Sequence, residues 1–263
     1  MHRFVLVALS AAVLLVSQTT TGAEIQTQIV EYTHDGQQLR GYLAWDNSVE
    51  GQRPGVLVVH EWWGLNDYAR RRAEELAGLG YIAFAPDMYG EGKTTEHPQE
   101  AGQWAGQVRE NVEEWRGRGI AGLNVLREHK LVDGDRIAAI GYCFGGATAL
   151  QLAYAGEPLR GVVTFHGALP IPSESEAEDI QARILICHGA ADSFIPEATA
   201  QELRDILGRS NVDWQMIYYG GAKHSFTNPG ADEKNVEGLA YDRQADESSW
   251  QHMQILFNQI FRD

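Results

Sequence analysis

A chain of 263 residues is long for an average domain but normal for one α/β domain, and no Ser/Gly-rich linker, internal repeat or low-complexity tract divides it. A formal net charge of −15 argues against nucleic acid or an anionic membrane as partner and would weakly repel anionic substrates at long range, although plain solubility is the simpler account.

The N-terminus reads as a secretory signal. Arg3 supplies a short basic region, residues 4–16 an apolar one, and Thr21-Gly22-Ala23 small residues suited to cleavage before Glu24. An apolar run of about 13 residues is short for a membrane span, which needs about 20, so removal of residues 1–23 is favoured over anchoring. The expected product is a single domain over residues 24–263, exported to a periplasm or secreted, monomeric, and without stable membrane association once the signal is gone.

Residues 25–32 and 38–45 alternate as an antiparallel hairpin turned at His34-Asp35-Gly36. Residues 54–60 are a near-continuous apolar run, as in a strand covered on both faces, and lead into His60-Glu61-Trp62-Trp63-Gly64. A helix is predicted at 67–79, a strand at 81–85 ending in Pro86-Asp87, and one or two helices at 99–126. The polar stretch 88–98 and, later, Gly220-Gly221 are candidates for movement on binding. A short strand at 136–140 feeds Gly141-Tyr142-Cys143-Phe144-Gly145, and residues 146–154 read as a helix. There follow a strand at 160–165, an acidic loop at 170–181 read as solvated surface, a strand at 183–187, a helix at 197–208, a strand at 213–218 and a last helix at about 242–262. Strands alternating with helices predict a mainly parallel, doubly wound sheet with helices on both faces and right-handed crossovers.

Gly141-Tyr142-Cys143-Phe144-Gly145 fits the G-x-nucleophile-x-G elbow of the α/β-hydrolase fold, with cysteine where serine usually stands. So sharp a turn needs small flanking residues, and it places the thiol at a helix N-terminus that favours a thiolate. By itself the pentapeptide equally suits a buried core cysteine. Asp192, after Ile184-Leu-Ile-Cys-His-Gly-Ala-Ala, and His224, after Tyr218-Tyr-Gly-Gly-Ala-Lys, follow it in the order this fold uses. Singly, Asp192 could be a turn acid before Pro196 and His224 an ordinary loop histidine; in order and context they predict a triad of Cys143, Asp192 and His224. The N–H groups of Trp62 and Phe144 are the expected oxyanion donors, and Trp63, Tyr89 and Phe226 are expected in the substrate pocket. Cys143 and Cys187 should stay free, because one intervening strand sets their strands about 10 Å apart, beyond disulfide reach.

His60-Glu61-Trp62-Trp63-Gly64-Leu65-Asn66, Pro86-Asp87-Met88-Tyr89, Gly141 to Gly146 and His224-Ser225-Phe226 together resemble the dienelactone hydrolase family, over essentially the whole mature chain. The resemblance implies the same triad. It also implies that Glu61 contacts the resting cysteine and shifts on substrate binding to let the thiolate form, a latch with a physical basis in like-charge repulsion. The chain departs from the pattern where type members carry two carboxylate-binding arginines: Glu91 and Asn228 stand there, and neither can offer a charged fork. Lys223 and Lys93 are the nearest cations without supporting spacing. The reading is therefore an acyl-cysteine hydrolase of small carboxylic esters or lactones, without cofactor or metal, acting on a substrate other than the dienelactone. Three alternatives compete with it. His60, His166 and His188 each end a predicted strand and could serve a metal hydrolase; the scaffold could be an exported binding protein; and the thiols could serve redox chemistry.

Overall fold

The computed structural model describes residues 22–262; the signal expected at 1–23 lies outside them except for its last two residues. Strands β1 (Ile25–His34) and β2 (Gln37–Asp46) form the expected hairpin. Its two turn residues, Asp35 and Gly36, have φ of 45° and 79°, the left-handed pair that suits the twist of flanking strands and favours glycine second. The other strands are β3 (Arg53–Val59), β4 (Ile82–Ala85), β5 (Val132–Tyr142), β6 (Gly161–Phe165), β7 (Arg183–Gly189) and β8 (Trp214–Tyr219). They complete one eight-stranded sheet in the order β1-β2-β4-β3-β5-β6-β7-β8, parallel from β4 onward.

The apolar runs are continuous because both faces of the sheet are covered. In β3, Leu57 and Val59 join the core beneath helices α2 (Pro98–Arg109), α3 (Val112–Arg127), α4 (Phe144–Tyr154) and α6 (Glu197–Arg209), while Val56 and Val58 join the core beneath α1 (Asp67–Gly78) and the last helix, α7 (Arg243–Ile260). Among the described residues no helix is long and apolar enough to cross a membrane.

One local feature settles an expectation left open, and two others differ from expectation. The stretch 99–126 is two helices, because Asn111 leaves the α region and accepts from the N–H groups of Glu113 and Glu114 to cap the second. The acidic loop 170–181 contains a helical turn, α5 (Glu174–Asp179). It is nucleated by a capping box in which Ser173 Oγ accepts from Glu176 N–H and the Glu176 carboxylate accepts from Ser173 N–H. The start of the stretch 88–98 is tied down: the buried Asp87 carboxylate accepts from the N–H groups of Tyr89, Gly90, Gly92 and Arg40 at 2.8–3.1 Å. The cysteines are as expected, both free, at the ends of strands that flank β6.

Candidate active site

The carboxyl ends of the parallel strands collect every candidate group. Cys143 caps α4 with φ 53° and ψ −115°, a conformation that costs a non-glycine residue on the order of 1–3 kcal/mol and persists only where its surroundings impose it. The glycines around it are obligatory. A Cβ on Gly141 would run into the Gly145 carbonyl, and one on Gly145 into the Val59 carbonyl. His166 (φ 40°) and Ser225 (φ 58°) are also left-handed, so three strained residues meet around one site.

His224 is 5% exposed, and its Nδ1 donates to Oδ2 of Asp192 at 2.8 Å. The other oxygen of Asp192 accepts from Phe194 N–H at 2.9 Å, which fixes the carboxylate in its plane. His224 and Cys143 line the same cavity. Burial acts against charge on His224, but the Cys143 and Asp192 side chains together outweigh it and push the imidazole up to about 10. Because that value is raised in the folded state, the stability contributed by the charge is complete below about 6.5 and lost progressively as the pH rises to about 10. The difference in urea midpoint between the wild type and His224→Gln is therefore expected to shrink steadily between pH 6.5 and 10; a difference that stays level over that window would contradict a charged pair.

Trp62 and Phe144 bracket the thiol from the β3–α1 turn and the head of α4. Among the described residues neither backbone N–H donates to a protein acceptor, which leaves both free for an oxyanion. The carbonyl of Trp62 accepts from Tyr89 Oη at 3.0 Å, so Tyr89 holds that peptide from behind. Trp63, Tyr89 and Phe226, expected in the pocket wall, do not line it. Trp63 is 1% exposed and packs edge-on beneath Trp62 with ring centroids 4.9 Å apart. Phe226 follows the strained Ser225 and is turned into the core against His166 and Tyr219.

The cavity, of about 170 Å³, is lined instead by Trp62, Phe144, Phe194, Ile195, Leu239 and Arg109, with Ala168 beside the two reactive groups. Arg109 ends α2; its Nε donates to the Ala105 carbonyl at 3.0 Å, and among the described residues it makes no ion pair. It is the one permanent cation in that lining. The sequence signal for it was faint: a basic residue in a last helical turn, where it also suits the helix dipole.

Glu61 is buried, and neither oxygen meets the thiol. Oε1 accepts from Ser225 Oγ at 2.7 Å and Oε2 from Asn228 Nδ2 at 2.6 Å. Burial raises its carboxyl above the usual range against the pull of those two donors. Asn228, which stands where an arginine was expected, thus serves Glu61 rather than a ligand, and Glu91 is exposed outside the cavity.

The strand-end histidines do not converge on a metal position. His60 Nδ1 donates to the Glu61 carbonyl at 2.5 Å and its Nε2 accepts from Met88 N–H at 3.3 Å, which pins the Trp62 turn. His166 Nε2 pairs with Thr227 Oγ1 at 2.7 Å, and His188 stacks edge-on against Tyr218. Among the described residues, the trio of ligand atoms close enough to share an ion comprises His34, Asp35 and Glu114 and includes none of the three.

Comparison with known proteins agrees with this architecture. A sequence model of the dienelactone hydrolase family matches residues 39–261. The chain is 30% identical over 208 residues to protein usf of Aquifex pyrophilus, covering 76% of this chain and 87% of that protein. It is 28% identical over 263 residues to a candidate carboxymethylenebutenolidase of Saccharolobus solfataricus, covering 87% and 97%. Among solved structures, a dienelactone hydrolase-like promiscuous phosphotriesterase from metagenomic libraries superposes with a TM-score of 0.88 at 41% identity, covering 91% of this chain and 100% of that one.

Proposed function

We propose, for a chain that belongs to the dienelactone hydrolase family, that this hydrolase cleaves a carboxylic ester or lactone through an acyl-cysteine intermediate. The observation that carries the reading is the strained Cys143 at the head of α4, sharing a cavity with a His224 whose far nitrogen is held by Asp192. His224 takes the thiol proton, and the thiolate attacks the carbonyl carbon. The Trp62 and Phe144 N–H groups receive the developing oxyanion, each worth roughly 3–4 kcal/mol in comparable sites. His224 then protonates the departing alkoxide and activates the water that releases the acid. A thiolate leaves a tetrahedral intermediate more readily than an unprotonated amine does, so intermediates from unactivated amides tend to revert, which favours an ester or lactone over a peptide.

The test is iodoacetamide treatment of residues 24–263 followed by 4-nitrophenyl acetate hydrolysis. One equivalent on Cys143, located by mass spectrometry, should abolish turnover. Full turnover after complete alkylation would discard the mechanism and reopen the binding-protein reading. The 41%-identical solved relative described as a promiscuous phosphotriesterase supports a second substrate class for the same thiolate, so a phosphotriester belongs in the first panel. Export through the N-terminal segment completes the proposal, and fractionation of cells expressing the full chain tests it.

Arg109 bears on which ester. An exposed guanidinium in the cavity lining, without an ion-pair partner among the described residues, favours a substrate that carries its own carboxylate. The ratio of kcat/KM for a 4-nitrophenyl glutarate hemiester to that for neutral 4-nitrophenyl butyrate is expected to fall about threefold in Arg109→Gln, the size of one solvent-exposed charge pair, and less in Arg109→Lys. An unchanged ratio would remove Arg109 from substrate selection.

A further inference from the structure

Behind His224 lies a buried polar chain that the mechanism above does not use. Thr227 is fully buried, and its hydroxyl lies 2.7 Å from Nε2 of His166 and 2.6 Å from the hydroxyl of Tyr68. Arg72 donates from Nε to Tyr68 Oη at 3.4 Å and from Nη2 to the Thr227 carbonyl at 2.8 Å. The guanidinium is held in turn by Asp246 and Glu75 and lies over the rings of Tyr68, Tyr142 and Trp250.

The protons follow by elimination. Because Arg72 donates to Tyr68, the tyrosine's own proton goes to Thr227, and the threonine's proton goes to His166. His166 is then a neutral imidazole accepting at Nε2. Burial, and after it the neighbouring charge of His224, hold it in that form. One direction, Arg72 to Tyr68 to Thr227 to His166, runs through the whole chain, and among the described residues it leaves only Nδ1 of His166 without a partner.

The chain ends at His166, which packs against His224, the group that most needs holding. Asp192 grips His224 at Nδ1 and Cys143 bonds to the same imidazole, and a ring held in its own plane can still tilt out of it. His166 stands edge-on to His224 with ring centroids 5.3 Å apart at 66°, and Phe194 covers it with centroids 4.9 Å apart. His166 keeps that place at a positive φ, which only over-determined surroundings sustain. Thr227 meanwhile anchors the loop that carries His224.

We propose that Arg72, Tyr68, Thr227 and His166 form a positioning device that keeps His224 aligned between Cys143 and Asp192. It rests on the proposed role of His224, and none of the four residues touches the reacting atoms. The titratable groups that face His224 from the surrounding elements are Cys143, Asp192, Glu61, His166 and His188; the device sets the angle at which the first two meet it.

Thr227→Val removes the hydroxyl at nearly constant volume, Thr227→Ser keeps it, and Tyr68→Phe breaks the chain one step earlier. With 4-nitrophenyl acetate, Thr227→Val is expected to lower kcat about tenfold with KM within about twofold, as small misplacements of a catalytic group do. Thr227→Ser should stay within about threefold of the wild type. The acid limb of Cys143 alkylation by iodoacetamide should move up by about half a pH unit or more in Thr227→Val, because a tilted imidazole stabilises the thiolate less. Tyr68→Phe should act in the same direction, and the double variant should be no worse than Thr227→Val alone, since both break one chain. A lowered Tm with unchanged kcat and alkylation profile would reduce the chain to a packing element. Full additivity of the two changes would overturn it as a unit. If Thr227→Val does not fold, Tyr68→Phe decides by the same two readouts. Alkylation needs no turnover, so failure of the device is distinguishable from failure of the hydrolase reading, which Cys143→Ala reports.

Discussion

Cys143→Ala is expected to lose at least about 10,000-fold in kcat on 4-nitrophenyl acetate with little change in KM, as removal of the nucleophile from a concerted triad does. The methyl group cannot form the acyl bond. The oxyanion donors and the cavity survive, so some residual hydrolysis by water should remain. The fold should survive too, because alanine is smaller than cysteine and meets the same strain at φ 53°. A circular-dichroism melt near that of the wild type would confirm that the loss is chemical. Cys143→Ser should fall between the two, down by about a hundredfold or more. Its hydroxyl cannot pre-form the ion pair that raises His224, so the proton must leave in the transition state itself. A serine variant as fast as the wild type would refute the thiolate-specific part. An alanine variant within tenfold of it would remove Cys143 from the reaction.

What made this nucleophile legible was backbone geometry rather than the thiol. Gly141 and Gly145 are glycines because a neighbouring carbonyl occupies the place of a side chain, and a constraint that tight leaves a fixed spacing in the sequence. Asp192 and His224 were legible because parallel strands end where they begin, and the alternation of buried runs gave the strands. The residues that shape the cavity left no such trace. Arg109, Phe194 and Leu239 come from three separate segments, and nothing periodic links the end of α2 to the loop after β7. Trp62 and Trp63 were a matched pair in one dimension, and only the turn pinned by His60 decides that the first faces the ligand and the second the core. Glu61 shows the same limit. Its identity was readable, but its partners, Ser225 and Asn228, lie more than 160 positions away. The departure at Asn228 looked like a lost substrate contact and proves, in three dimensions, to be a bond to a buried carboxylate. If Glu61 acts as a latch on the thiol, it must give up both bonds to do so, and the His224 loop must feel the release.

Asp192→Asn is expected to lower kcat by about 100- to 10,000-fold, and the reason lies in how the carboxylate is held. Phe194 N–H donates to Oδ1 at 2.9 Å, so an asparagine will keep its carbonyl oxygen there. Its amide nitrogen must then occupy the place of Oδ2, facing Nδ1 of His224 at the present 2.8 Å. An amide N–H cannot accept from Nδ1–H. The imidazole is driven to the tautomer that carries its proton on Nε2, where it can no longer take one from the thiol. Two consequences separate this from simple damage. The His224 imidazolium loses one of the two charges that raise it, so alkylation of Cys143 at neutral pH should slow and its acid limb should move upward. The melting temperature should change far less than the rate, because the Phe194 bond that closes the turn is preserved. Asp192→Ala, which leaves Nδ1 without any partner, should cost less than the asparagine if the wrong tautomer is the cause. An asparagine variant that keeps its rate within threefold would show that the carboxylate only fills space. An alanine variant slower than the asparagine would show that the charge matters more than the tautomer.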